Sequence, residues 1–505
     1  MEWGIALVAN RFGRVIEIIA IALQLFSEIL LFYFVCKINV LTGPLTVALL
    51  AFLILLFVIT CLIAFAGKKK ASSKGRTIRG IIAVVIAIIT IILCSTGCFT
   101  LSVAAKTISA VTEQNEATHT IGVYVLVDDP AESIQDAADY SFGYLKSLDG
   151  SNYTEQTISA IESEIGHNPD TSAYEDAVSM VDALYSQDTK AIILDEGFVS
   201  IIEDQPDYED YSTRTRLIYE RTFSVASKSS ESANKSITQD PFVLYLSGSD
   251  TRSRMLDVSR SDVNILAVVN PKTRQVLLVN TPRDYYVPIS ISSSGTRDKL
   301  THCGIYGIDC SMDTLSALYG VDIDYYGQIN FTGFENLIDA VGGVTVYSDT
   351  AFSASPYSYV VGDNYLDGKA ALAFARDRHH QASGDNARGV HQMAVIKALI
   401  QKLSAGTLIQ HYSDILSSVE GMFVTSVSSD EISQLMKMQL SDMAHWDVHS
   451  FAVTGTGGSN TTYSMPGLHS YVMYPNEDTV SYASELMNKV IDGETLTDAD
   501  MRIAN

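Results

Sequence analysis

Hydrophobic positions in this chain follow three successive patterns. Over the first hundred residues they run almost unbroken, and residues 15–36, 45–66 and 78–99 each approach the ~20 apolar residues that cross a bilayer. Three transmembrane helices are predicted. Glu17, Gln24 and Glu28 interrupt the first of them, and because a carboxylate facing lipid is costly, that face is expected to turn into the helix bundle. From Gln114 to about Val225 short apolar runs alternate with helical spacing. They predict strands at IGVYVLV from Ile121, AIILD from Ala191 and RLIYERTFSV from Arg216, with helices over 136–146 and 155–165.

After SVASKSSESANKSITQD (224–240), a Ser- and Lys-rich linker, the third pattern begins. Residues 242–246, 264–269 and 276–280 are nearly continuous apolar strands, as expected of a sheet covered on both faces. NPKTRQ makes the turn between the last two. DTLSALYG predicts a helix, and YYGQINFTGFENLIDAVGGVTVYSD predicts strand, helix, a stop at Gly342 and Gly343, and strand. Asp367 can cap a helix reaching Phe374, beyond which an extended chain would place Arg376 and Arg378 on one face. Arg388, His391 and Gln392 share a face of the next helix. Helices over 415–422, 430–440 and 478–491 and a strand over 448–453 complete the chain. The expected domains are a membrane anchor (1–105), an α/β accessory domain (106–225), a linker (226–240) and an α/β domain (241–505).

Charge sharpens this division. Arg11, Arg14 and the basic stretch KKKASSKGRTIR flank spans, whereas the loop over 37–44 carries one charge. The N-terminus and the basic loop are therefore expected in the cytoplasm, and everything after about Leu101 outside the cell. Up to Thr100 nine basic residues oppose three acidic ones, +6 of a total of −24, which leaves −30 for the exterior. So acidic an exterior argues against nucleic acid as a partner. Of six cysteines only Cys303 and Cys310 are external, as a disulfide or as two free thiols, and no Cys/His set has zinc spacing.

Candidate chemistry concentrates between Tyr245 and Tyr285, where Asp250, Arg252, Arg254, Asp257, Arg260, Asp262, Arg283 and Asp284 interleave with strands. Surface ion pairing accounts for Arg254 and Asp257. The others sit where strands meet loops, the place where open α/β sheets bind ligands. Carboxylates there suit a hard cation such as Mg²⁺, whose shell is completed by phosphate oxygens, and arginines suit the same phosphate. Arg376, Arg378 and Arg388 form a second basic group, whereas His379 and His380 are expected to be solvated. The acidic run EDQPDYEDY from Glu203 reads as a solvated loop. The accessory domain shows no catalytic constellation.

Four ordered blocks resemble the signatures of the LytR-CpsA-Psr family: GSDTRSRMLDVSRSD, VNTPRDYYV, YYGQINFTGFENLIDAVGGV and ALAFARDRHHQASGDNARGVHQ. Three spans followed by an extra external domain further resemble its CpsA branch, found in streptococcal capsule loci. The resemblance implies an α/β/α sandwich with a central mixed sheet and a hydrophobic tunnel for a polyprenyl chain. It implies transfer of a glycopolymer, here capsular polysaccharide, from polyprenyl pyrophosphate to peptidoglycan. It further implies Mg²⁺ (or Mn²⁺) on Asp250 and Asp262, and pyrophosphate held by Arg252, Arg260, Arg283, Arg376, Arg378, Arg388 and Gln392. Asp262, Arg260, Arg283, Arg376 and Arg378 are the expected catalytic set, and the membrane and other capsule-synthesis proteins are expected partners. For the general base, Asp262 and Asp284 compete with Asp377 and Asp385. Where the family commonly has Arg before the Gln, this chain has His391, mostly neutral at pH 7. Two other readings use the same features: hydrolysis of the polyprenyl pyrophosphate, and a non-catalytic, polysaccharide-binding regulator of capsule synthesis.

Overall fold

A computed structural model describes residues 2–39, 41–65, 73–113, 116–146, 151–226, 235–249, 258–377, 385–403, 415 and 417–502. The three apolar runs form α1 (Glu2–Ile38), α2 (Gly43–Phe65) and α3 (Ser73–Glu113). Within them Gly13–Ile38, Gly43–Phe65 and Thr77–Val103 are long and apolar enough to span a membrane. Ala83 and Ala87 are fully buried while Ile88, Ile92 and Leu93 face outward, so small side chains set the helix contacts and large ones are left for lipid. Gln24 and Glu28 are buried, and Gln24 Nε2 donates to Glu28 Oε1 over 2.8 Å. The polar positions of the first span thus turn inward.

A five-stranded sheet follows: β1 (Glu116–Leu126), β2 (Ser141–Leu145), β3 (Asp170–Tyr174), β4 (Ala191–Asp195) and β5 (Thr215–Ala226), in the order β3-β2-β4-β1-β5. Helices α4 (Tyr153–Ile165), α5 (Ala177–Tyr185), α6 (Val199–Glu203) and α7 (Tyr211–Arg214) connect the strands. The helix expected over 136–146 is absent: residues 134–139 form turns and Ser141–Leu145 is an interior strand. Asp136 spends its carboxylate on the backbone N–H groups of Glu132 and Ser133, a local bond that competes with helix formation. Buried Phe142 and Leu145 are then supplied from the strand, parallel to both β3 and β4.

The second sheet is six-stranded and mixed: β6 (Phe242–Ser249), β7 (Val263–Asn270), β8 (Gln275–Asn280), β11 (Tyr325–Asn330), β16 (Phe423–Thr425) and β17 (Asp447–Ala452), in the order β16-β11-β6-β7-β8-β17. Between them lie β9 (Tyr286–Pro288), β10 (Arg297–Lys299), β12 (Val344–Ser348), β13 (Phe352–Ala354), β14 (Tyr357–Tyr359) and β15 (Gly362–Leu366); β18 (Gly455–Thr461) and β19 (His469–Pro475) follow. β6, β7 and β8 form an antiparallel meander, while β11 and β17 add parallel to β6 and β8. Leu277 and Val279 of β8 face α8 (Ile308–Tyr319) and α13 (Glu477–Asp492). The alternate residue Asn280 faces α11 (Asp385–Lys402), where a Cβ on Gly389 would stand 2.0 Å from Asn280 Nδ2. Glycine is therefore what lets α11 lie against the sheet. With α9 (Phe331–Ala340) and α10 (Gly368–Arg376) added, helices cover both faces and every residue of β8 is buried. This is why the strand reads as an unbroken apolar run.

Residues 429–443, including α12 (Ser429–Asp442), cluster with the membrane helices as one compact unit; both sheets belong to another. Within the second unit the sheets share a core. Ile305 and Met465, from the larger sheet's loops, are buried with Phe198, Ile201 and Ile202 of the smaller one. Cys303 and Cys310 are both buried free thiols.

Candidate functional site

Antiparallel pairing makes the site. Because β7 and β8 run in opposite directions with Ile265 opposite Asn280, the residues entering β7 and those leaving β8 meet at the same end of the sheet's strands. Arg260 and Asp262 precede β7; Arg283 and Asp284 follow β8. Arg283 Nη1 donates to Asp262 Oδ1 over 2.7 Å, and Thr301 Oγ1 lies 3.4 Å from the same oxygen. Backbone bonds from Asp262 N to Gly248 O and from Thr301 N to Arg283 O fix the loops together. Asp284 lies 3.6 Å from Arg283 Nε and 3.8 Å from Lys299 Nζ. From α11, Arg388 Nη2 approaches the Asp262 carbonyl at 3.4 Å.

Three guanidiniums, those of Arg260, Arg283 and Arg388, are thus gathered out of bulk solvent around one carboxylate, with Arg260 and Arg388 only 6% and 5% exposed. Burial of Asp262 pushes its carboxyl pKa up, but the charges of Arg283, Arg260 and Arg388 outweigh this and hold it below the ordinary carboxylate value. Burial likewise pulls the Arg283 pKa down, and Asp262 and Asp284 more than reverse it. Asp262 and Arg283 therefore both remain ionised near neutrality. The cluster is built to hold an oxyanion.

Gln392 is buried one turn along α11 from Arg388, as the shared helix face requires. His391 is buried too, but its ring lies 4.8 Å from Phe352 at an interplanar angle of 8° and 4.5 Å from Phe374. It is an aromatic packing residue. Burial lowers its pKa despite the opposing charge of Asp377, so it stays neutral. Arg376 departs from expectation: α10 continues through it, the residue is exposed, and its guanidinium stacks 4.5 Å from the Phe331 ring. The helix persists because Asp367 caps it over 2.8 Å and its apolar face is buried through Ala375. Among the described residues Arg376 makes no ion pair. Asp250, Arg252, Arg254, Asp257, Arg378, His379 and His380 lie outside the described residues, as does the side chain of Asp385.

The largest surprise is Asp204. It belongs to the acidic run expected to be a solvated loop, yet its Oδ2 pairs with Arg260 Nη1 and lies 4.0 Å from Arg283 Nη2. No local pattern distinguishes it from Asp207 or Asp210, since only the docking of the smaller sheet brings it here. Lys299 and Thr301 were also missed, being ordinary polar residues within a short strand and turn. As for a metal, a carboxylate oxygen is the hard donor that Mg²⁺ takes, and Arg283 and Thr301 both use Oδ1 of Asp262, so Oδ2 fits that requirement. Among the described residues no three metal-ligating side chains cluster.

Residues 213–478 match the model of the LytR_cpsA_psr family. The chain belongs to that family. A relative from Enterococcus faecalis, "Polyisoprenyl-teichoic acid--peptidoglycan teichoic acid transferase TagU", is 33% identical over 43% of this chain and 71% of its own length. Its Bacillus subtilis counterpart is 33% identical over 43% of this chain and 70% of its own. Among solved structures, "Crystal structure of B. subtilis TagU" aligns at 28% identity over 51% of this chain and 100% of that one, with a TM-score of 0.39. The LytR_cpsA_psr match takes in Arg260, Asp262, Arg283 and Arg388. Asp204 and strands β1 to β4 precede it.

Proposed function

We propose that the protein transfers a glycopolymer from a polyprenyl-pyrophosphate carrier to peptidoglycan, forming a phosphodiester, and that the polymer is capsular polysaccharide. The observation that carries this is the set of Arg260, Arg283 and Arg388, gathered largely out of solvent around Asp262, on a chain 33% identical over 43% of its length to named teichoic acid transferases. Guanidiniums in such a place take the non-bridging oxygens of a diphosphate bidentately. A sugar hydroxyl of the acceptor attacks the phosphorus bearing the glycan. The bond from that phosphorus to the bridging oxygen breaks, and polyprenyl phosphate leaves with the electron pair. Fixed positive charge stabilises what builds on the leaving group without reorganisation. The hydroxyl proton passes to a site carboxylate. Asp284, held at 3.6 and 3.8 Å, suits this better than Asp262, which Arg283 already engages at 2.7 Å.

Asp262, with Asp250 of the preceding loop, is the set we assign to Mg²⁺ or Mn²⁺, which would supply further charge neutralisation at the phosphate. The spans tether the domain where a lipid-linked donor is delivered, with the N-terminus cytoplasmic and the sheets outside.

The test is the full-length protein in nanodiscs with a lipid-pyrophosphate-linked saccharide and peptidoglycan fragments, with and without Mg²⁺. A phosphodiester-linked product that needs the acceptor and the cation is expected, with Arg283→Ala slower by about 10²-fold or more. Release of free glycan phosphate regardless of acceptor would make the protein a hydrolase. Lipid binding without any product would leave the non-catalytic regulator.

A further inference from the structure

Arg260 is buried, and one group that meets it comes from the domain of the other sheet. Asp204 follows α6 directly, and α6 is anchored: Ile201 and Ile202 are buried, the Phe198 ring meets Tyr306 edge-on at 6.3 Å, and a Cβ on Gly197 would lie 3.2 Å from Ile305 Cβ. Gln205 is buried on the far side. The backbone at Asp204 is therefore fixed at the rim of the anion site. Its carboxylate is not, being 35% exposed against 7% for the Arg260 side chain. Neighbouring Glu203 cannot substitute, because its Oε1 accepts from Ser212 N.

Charge balance gives this placement its consequence. Among the described residues Arg260, Arg283, Arg388 and Lys299 face Asp204, Asp262 and Asp284, so three carboxylates already draw on these four cations. A diphosphate diester with two negative charges gains fully from the arginines only when one carboxylate leaves or a cation enters. An incoming phosphate oxygen would take the place beside the Arg260 guanidinium that the Asp204 carboxylate holds, exchanging one oxyanion for another.

We propose that Asp204 is an internal stand-in for the substrate's phosphate: it occupies the Arg260 guanidinium until a diphosphate displaces it by rotation of its side chain. The domain built on β1 to β5 thereby sets the affinity of the site and its demand for a divalent cation. This rests on the diphosphate reading above. It concerns a residue outside the region that defines the family.

The experiment measures calorimetric binding of inorganic pyrophosphate and of geranyl pyrophosphate to the full-length protein in nanodiscs, at low ionic strength, with and without Mg²⁺. Asp204→Asn, which keeps the shape and removes the charge, is expected to bind both probes at least about tenfold more tightly without Mg²⁺, the effect of one nearby charge at the dielectric of a protein surface. The gain from adding Mg²⁺ should shrink accordingly. Asp204→Glu, which keeps the charge, should remain near wild type. If Asp204→Asn binds no more tightly while Arg283→Ala still loses binding, Asp204 is only a docking ion pair and the diphosphate site stands. If neither probe binds wild type or variant, the diphosphate site falls and Asp204's role falls with it.

Discussion

Guanidiniums are seldom buried without a task, and Arg260 and Arg388 are buried, with Arg283 half-buried, beside a carboxylate whose own burial they overcome. His391 shows the opposite solution at the next position but two along α11. Packed against Phe352 and Phe374, it is held neutral by burial. The sign of the resulting pH effect is fixed. The unfolded chain takes up a proton near pH 6.5 whereas the folded one resists it, so this contribution to stability is complete above 6.5 and is lost as pH falls through and below that value. In His391→Phe the loss of unfolding free energy between pH 7 and 5 should therefore be smaller than in wild type, as read from urea midpoints at each pH. An equal loss in both would mean that the ring is not the group responsible.

Among the elements, α10 determines where Arg376 is placed. Asp367 accepts from Ala370 N over 2.8 Å, and Gly368 N donates to Asp339 Oδ1 of α9 over 2.7 Å. Removing the cap in Asp367→Ala should cost about 1 kcal/mol in denaturant unfolding. The stop after α9 is stricter. Gly343 has φ +71°, and a Cβ there would meet Tyr365 Oη at 2.6 Å, so Gly343→Ala strains the backbone and crowds β15 together. A destabilisation larger than that of Asp367→Ala is expected in the same assay.

For the whole molecule the decisive contact is the one between the two sheets. Ile305 follows the turn that carries Thr301 to Asp262, and its side chain is buried in the smaller sheet's core. Ile305→Ala should cost about 2–5 kcal/mol. Hydrogen exchange should quicken both in β4 with α6 and in the segment Leu300–Tyr306, because Ile305 ties that segment into the smaller sheet's core. Faster exchange in only one of the two would show that the sheets fold independently. Loosening this joint should also release Asp204 from Arg260.

The sequence by itself determined the three membrane helices, the buried strands of the larger sheet, the Gly342–Gly343 stop and the inward face of Arg388 and Gln392, since each depends on a local periodicity or a residue's own backbone preference. It identified Arg260, Asp262 and Arg283 as a group because they flank a single hairpin, whose pairing is short-range. It misread 136–146, where a side chain to backbone bond competes with helix formation, and the end of α10, where burial of the apolar face extends the helix past Phe374. Only the tertiary structure could decide that His391 packs as an aromatic ring and that Asp204 reaches an arginine 56 positions away. Both depend on which surfaces meet once the elements have formed, and a charged or aromatic side chain reads the same in sequence whether it faces water, a ring or a guanidinium.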